Sequence, residues 1–159
     1  MLSATNVDLS TASRIVVAAH AEAVRRSVLV SVAVVDAGGH LVAFGRMDGA
    51  EIAGPVLAVD KAFTAVANRV ATSELARLAA PGGDLFGLHA NGGGRFVIFG
   101  GGVPIFAKGD IVGGVGVSGA SAADDEGCAL AGVAAVDLGA AEGPPTLSFR
   151  NSPRHRADG

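Results

Sequence analysis

Leu29-Val-Ser-Val-Ala-Val-Val35, Asp36-Ala-Gly-Gly39 and His40-Leu-Val-Ala-Phe-Gly-Arg46 follow one another without a break, and this stretch decides the fold. A β-branched run, a turn rich in glycine and a second apolar run make a β-hairpin. The continuous run Val30 to Val35 suits a strand buried on both faces better than a half-exposed one. After Arg46 the chain turns a polar corner, Met47-Asp48-Gly49-Ala50, toward a helix. A second hairpin repeats the plan: Gly100-Gly-Gly-Val-Pro-Ile-Phe106, a turn at Lys108-Gly109-Asp110, then Ile111-Val-Gly-Gly-Val-Gly-Val117 running into Ser118-Gly119. Helix N-termini present free N–H groups and partial positive charge, so these strand-to-helix corners are places to hold an anionic or carbonyl-bearing ligand.

Helices fill the intervals. One begins near Asp8 to Thr11 and runs to about Arg26, with Ile15, Val16, Ala19 and Ala23 on one face. A second spans Ala53 to Val70, where Pro55 is tolerated in the first turn and Ala58, Ala62, Ala65 and Ala67 allow close packing. A short third helix, Glu74 to Ala80, is expected to be capped by Thr72 or Ser73 and ended by Pro81-Gly82-Gly83. Asp84 to Gly94 is an eleven-residue Gly-rich loop, Arg95 to Phe99 reads as a further strand, and a last helix runs from about Ala122 to Ala140 behind Ser121. Five strands arriving in hairpin groups between helices give an α+β fold, an antiparallel sheet flanked by helices, rather than a doubly wound parallel sheet. Residues 1–143 are expected to be one domain and 144–159 a polar, mobile tail.

Composition narrows the function. Half the residues are hydrophobic, yet Trp and Tyr are absent and glycine numbers 24, so the core is built from small side chains. A mean hydropathy of +0.47 is high for a monomer, and the surplus apolar surface is expected to meet other copies of the chain. No apolar run reaches the roughly 18 residues of a membrane span. A net charge of −3 and few aromatic platforms argue against nucleic acid as a partner. The single cysteine, Cys128, reads as a packed thiol in an Ala-rich helix, and without a basic-then-apolar signal pattern at the start the expected location is the cytoplasm.

Val32-Ala-Val-Val-Asp36 with Gly38-Gly39, Arg46-Met-Asp-Gly-Ala50, Lys61-Ala-Phe-Thr-Ala65, Gly101-Gly-Val-Pro-Ile105, and Gly113-Gly-Val-Gly-Val-Ser-Gly119 with Asp125 stand in this order along the chain. Together they resemble the GlcG/HbpS family, which includes the C-terminal domain of PduO-type proteins, over about Leu9 to Ala140. The resemblance implies a five-stranded antiparallel sheet with helices in a profilin-like sandwich, assembled as dimers to octamers. It also implies haem as a cofactor for some members. For others it implies enzymatic work on reactive imine, enamine or semialdehyde intermediates.

Several residues are candidates for the site. Arg46 and Asp48 flank Met47 and either pair with each other or jointly meet a ligand. Lys61 lies in an apolar helix, so its stem is buried. It either pairs with a carboxylate, Asp48 or Asp36, or has a lowered pKa and serves as a base or Schiff-base amine. Asp36 opens a turn, where Asp is favoured because its side chain bonds the backbone two residues on. Ser118 follows a strand and precedes a helix whose positive end Asp125 complements; it is a donor to a carboxylate or carbonyl but lacks a nucleophile elbow. Neither Gly cluster is a phosphate loop. No histidine has a His or Cys neighbour at the spacing of a structural zinc site. Haem needs one or two axial ligands, an apolar slot and cations, which His20 or His89 with Arg25, Arg95 or Lys61 can supply. Two readings result: an oligomeric binder of haem or a similar planar carboxylated ligand, and a cofactor-free enzyme in which Arg46 grips a carboxylate while Lys61 and Asp48 move protons.

Overall fold

Asp8 starts the first helix by accepting the Thr11 N–H at 2.7 Å, and α1 runs Leu9–Arg25 with Ala12, Ile15, Val16, Ala19 and Ala23 buried along one side. The structure, a computed structural model, describes residues 4–138. The first hairpin forms β1 (Ser31–Asp36) and β2 (Leu41–Arg46), followed by α2 (Gly54–Asn68) and α3 (Thr72–Leu78). Two single 3-10 turns, Leu88–Ala90 and Gly92–Gly94, occupy the Gly-rich loop. The second hairpin forms β3 (Gly102–Ala107) and β4 (Asp110–Ser118), and α4 (Ala122–Ala134) closes the described chain behind a Ser121 cap. Lys108 and Gly109, both at positive φ, make its two-residue turn.

All pairings are antiparallel and the strand order is β2-β1-β4-β3. Side-chain alternation divides the sheet cleanly. Val32, Val34, Val115, Val117, Val103 and Ile105 face α1 and α4 and form the main core with Ile15, Cys128 and Ala129. On the opposite face Val35 meets Ala62 and Val66 of α2. There the sheet presents Gly114 and Gly116 to the helix. A Cβ on Gly116 would stand 1.9 Å from the Ala58 carbonyl oxygen, so this glycine sets the depth at which α2 lies.

Four strands form among the described residues, not five. Arg95 to Phe99 carries a strand-like sequence but crosses α2 instead of joining the ladder. The Val97 N–H donates to Thr64 Oγ1 at 3.0 Å, Arg95 reaches Asp60 at 2.8 Å, and Phe96 stacks on Phe63. The Thr64 hydroxyl thus takes the Val97 N–H and faces the Arg95 carbonyl at 3.4 Å, where a ladder would otherwise supply partners. The α3 caps also differ: Ala71 is the N-cap, while Thr72 Oγ1 accepts the Gly102 N–H and the Ser73 hydroxyl donates to Glu126. The last helix ends at Ala134, six residues before the expected Ala140; residues 139 onward, including the expected tail 144–159, lie outside the described residues. No described helix is long and apolar enough to cross a membrane.

Candidate functional site

Lys61 is the largest fully buried side chain of the described chain, 1% exposed. Its ammonium does not meet Asp48 or Asp36, as the sequence led us to expect. It donates to Asp125 Oδ2 at 2.8 Å and to the Val117 carbonyl at 2.9 Å, with the Phe99 ring centroid 5.0 Å away. Asp125 Oδ1 accepts the Ala120 N–H at 3.0 Å. One carboxylate therefore fixes the β4-to-α4 turn and ties α2, on one face of the sheet, to α4, on the other. Burial lowers the Lys61 pKa, and Asp125 pulls it back up. Burial likewise raises that of Asp125 against the pull of Lys61 and the turn N–H groups.

The other corner residues do not gather around this pair. Arg46 donates through Nε and Nη2 to the Ala50 carbonyl, closing the β2-to-α2 loop. Asp48 is exposed at that loop, and no ion pair joins it to Arg46 or Lys61 among the described residues. Asp36 staples its turn: Oδ1 accepts the Gly38 and His40 N–H groups at 2.8 and 2.9 Å. Burial pushes its pKa up, but these donors and His40 outweigh it and hold the carboxyl below its usual range.

Ser118 is buried beside the first turn of α2, and the ladder places it in one row with Ser31 and Arg46. Ser31 was missed by sequence reasoning, though a hydroxyl interrupting an apolar strand was a visible signal. Its Oγ is buried without a hydrogen-bond partner among the described residues. Cys128 is buried in α4, its thiol pushed up to about 11 by burial.

The histidines differ in kind. His89 is exposed on the 3-10 turn Leu88–Ala90, in the segment that leads to Phe96 and the α2 side of the sheet. His20 is half-buried on the α1 side, where its Nε2–H donates to the Gly45 carbonyl of β2 at 3.2 Å. That bond fixes the tautomer and leaves the Nδ1 lone pair as the free ring nitrogen. Burial lowers the His20 pKa, only partly offset by Gly45, so the ring is neutral at neutral pH.

Around His20 the surface is apolar. Val17 and Val24, one helical turn on either side, are 69% and 66% exposed, while the exposed Leu41 and Phe44 of the edge strand β2 pair with Val35 and Ala33 and so face the α2 side of the sheet. A groove of about 410 Å³ runs along α1 between Arg14, Val17, Ala21 and Ala135 of the segment after α4. Among the described residues Arg14 makes only a long bond to its own-helix Thr11 hydroxyl, 3.4 Å. Among the described residues no group of three or more His, Cys, Asp or Glu is placed to hold a metal ion.

The neutral His20 has a consequence for stability. Its folded pKa lies below the ordinary 6.5, so the unfolded chain binds the extra proton. Stability is expected to fall as pH drops below about 6.5, before most carboxylates titrate. Urea unfolding at about pH 7.5 and pH 5.5 should show a midpoint drop that His20→Gln flattens; an unchanged drop in that variant would remove His20 as its source.

A family model described as "Haem degrading protein HbpS-like" matches residues 7–134. The corrinoid adenosyltransferase PduO of Salmonella typhimurium is 40% identical over 110 residues, which is 69% of this chain but 33% of PduO; the chain thus spans about a third of that relative. The crystal structure of a PduOC:heme complex superposes with a TM-score of 0.81 at 36% identity, covering 85% of this chain and 98% of that one. An HbpS double mutant of Streptomyces reticuli gives 0.78 at 38% identity, covering 84% and 89%.

Proposed function

We propose, on the premise that this chain belongs to the HbpS-like family, that it is an oligomeric protein binding haem, or a similar planar carboxylated ligand, near a boundary between copies of the chain. The observation that carries this reading is His20. Histidines that ligate metals characteristically donate their other ring N–H to a carbonyl or carboxylate, which orients the ring and keeps the ligating nitrogen unprotonated. His20 has that arrangement on Gly45, with Nδ1 free and the ring held neutral. When bound, haem would supply iron chemistry; the chain's own part is to orient and shield it.

The surrounding residues fit the group. Val17 and Val24, one turn on either side of His20, offer an apolar strip, and the neighbouring groove that Val17 also lines carries Arg14, a cation for a propionate. Strand β2 is an edge of the sheet with Leu41 and Phe44 exposed, the kind of edge a second copy can cover. His89 lies on the exposed 3-10 turn Leu88–Ala90, in a different segment from the α1 surface that carries His20. A haem complex in a structural relative of 36% identity supports the same reading.

Titration of the purified protein with hemin, followed in the visible, tests it. A saturable Soret band is expected that shifts or is lost in His20→Ala and persists in His89→Ala, with light scattering reporting an oligomer. A Soret spectrum indifferent to His20→Ala would overturn this assignment.

A further inference from the structure

Another cavity among the described residues has no part in the reading above. It lies on the α2 side of the sheet, beneath the β1–β2 turn, and measures about 240 Å³ between Gly39, Phe63, Val66, Ala67, Arg69 and Ile111. We infer that it is a binding site for a small organic carboxylate with a compact apolar body, held by the Arg69 guanidinium. A tetrapyrrole does not fit it, since ligand pockets even for drug-sized molecules run from about 300 to 1,000 Å³.

Two observations support the assignment, and a third makes it testable. The wall is rigid: Phe63 is stacked on Phe96 with ring centroids 6.1 Å apart, and the Arg95 guanidinium lies 3.7 Å from its centroid. On its other side Gly39, at φ +81°, leaves no room for a Cβ, which would stand 2.6 Å from the ring. A preformed wall loses little freedom when a ligand arrives.

The charge is the second observation. Arg69 is the only charged side chain lining the cavity, and its guanidinium has no hydrogen bond or ion pair among the described residues. The nearby Asp36 carboxylate is taken up by the Gly38 and His40 N–H groups, and Asp60 is taken up by Arg95. A guanidinium lining a small cavity beside the Phe63 ring matches a carboxylate by charge and by its forked donors.

The third observation is where Arg69 sits. It closes α2 in the left-handed conformation, φ 55° and ψ 34°, with its N–H bonded to the carbonyls of Ala65 and Val66. Glycine is the usual residue there, because a Cβ crowds the neighbouring carbonyl oxygen in that region. Glycine at this position should therefore keep the helix end intact while removing the guanidinium, which separates binding from folding.

Benzoate and isobutyrate, with benzamide and isobutyramide as neutral matches, are the probes, titrated into the full chain and followed by amide NMR shifts. The carboxylates should saturate residues around the turn and α2, at least about tenfold more tightly than the amides. Arg69→Gly should remove that preference while holding or raising the melting temperature, a split that a merely structural arginine would not give; Arg69→Gln serves if the glycine variant is poorly behaved. Ala67→Leu, which fills the cavity, should block both probe types. No saturable binding by the natural chain, or equal binding by Arg69→Gly, overturns the site. Because hemin binding is read separately at His20, failure of either assignment leaves the other standing.

Discussion

Asp125→Ala is expected to destabilise the fold by about 3–5 kcal/mol, because it strands the Lys61 ammonium in the core without its counter-charge. In a chain of this size that corresponds to a melting temperature lower by about 10 °C or more. The loss exceeds that of an ordinary ion pair: the carboxylate also accepts the Ala120 N–H and joins the two helical layers around the sheet. Replacing both partners by apolar residues of similar volume, Lys61→Met with Asp125→Leu, should restore much of the stability, since nothing charged then remains buried. Lys61→Met alone differs in its pH dependence. The Asp125 carboxyl left behind has a folded pKa raised above its unfolded value, so its protonated form is favoured in the fold. Stability of this variant is therefore best below the unfolded carboxyl value and is lost as pH rises through the folded one. Thermal melts of the single and double variants at about pH 5 and pH 8 check both statements. An Asp125→Ala protein melting within a few degrees of the natural chain would mean that the pair is not the tie described.

What the sequence conveyed was set by distance along the chain. The Asp8 cap, the buried stripe of α1 and both hairpins rest on contacts within a few residues, and periodicity or turn chemistry reveals such contacts. That Lys61 would be buried was legible from its apolar helix, but its partner lies 64 positions away on another layer, and the nearer carboxylates Asp48 and Asp36 were the natural guesses. Arg95 to Phe99 misled for a related reason: the unbroken apolar run Phe96-Val-Ile-Phe99 has strand-like composition, and only the fold decides whether a strand or the Thr64 hydroxyl takes the Val97 N–H. The hydroxyls of Thr72 and Ser73 were read as local caps, yet they bond Gly102 and Glu126. Of the candidate site, His20 was named for its residue type. The Gly45 carbonyl that orients it belongs to the next element but one, and no spacing rule marks it.

Gly116→Ala is the second large effect, and the substituent is a single methyl group. Its Cβ would stand 1.9 Å from the Ala58 carbonyl oxygen and 2.6 Å from the Ala62 nitrogen, both helix backbone. No rotamer change relieves such a clash, so α2 must shift as a body off the sheet. Overpacking of this kind costs typically about 1–3 kcal/mol and sometimes more, and Gly116→Val is expected not to fold stably. A displaced α2 also carries Lys61 away from Val117 and Asp125, so part of the loss should be the same loss that Asp125→Ala inflicts. The two substitutions then fail to add, and a double-mutant cycle should return a coupling of about 0.5–3 kcal/mol. Two damaged but independent sites would sum instead, and full additivity would show that the helix depth and the ion pair are not linked. His20 sits on the other side of the sheet, so whatever fraction of Gly116→Ala remains folded should keep its hemin spectrum while losing carboxylate binding beneath the first turn, where α2 forms the wall.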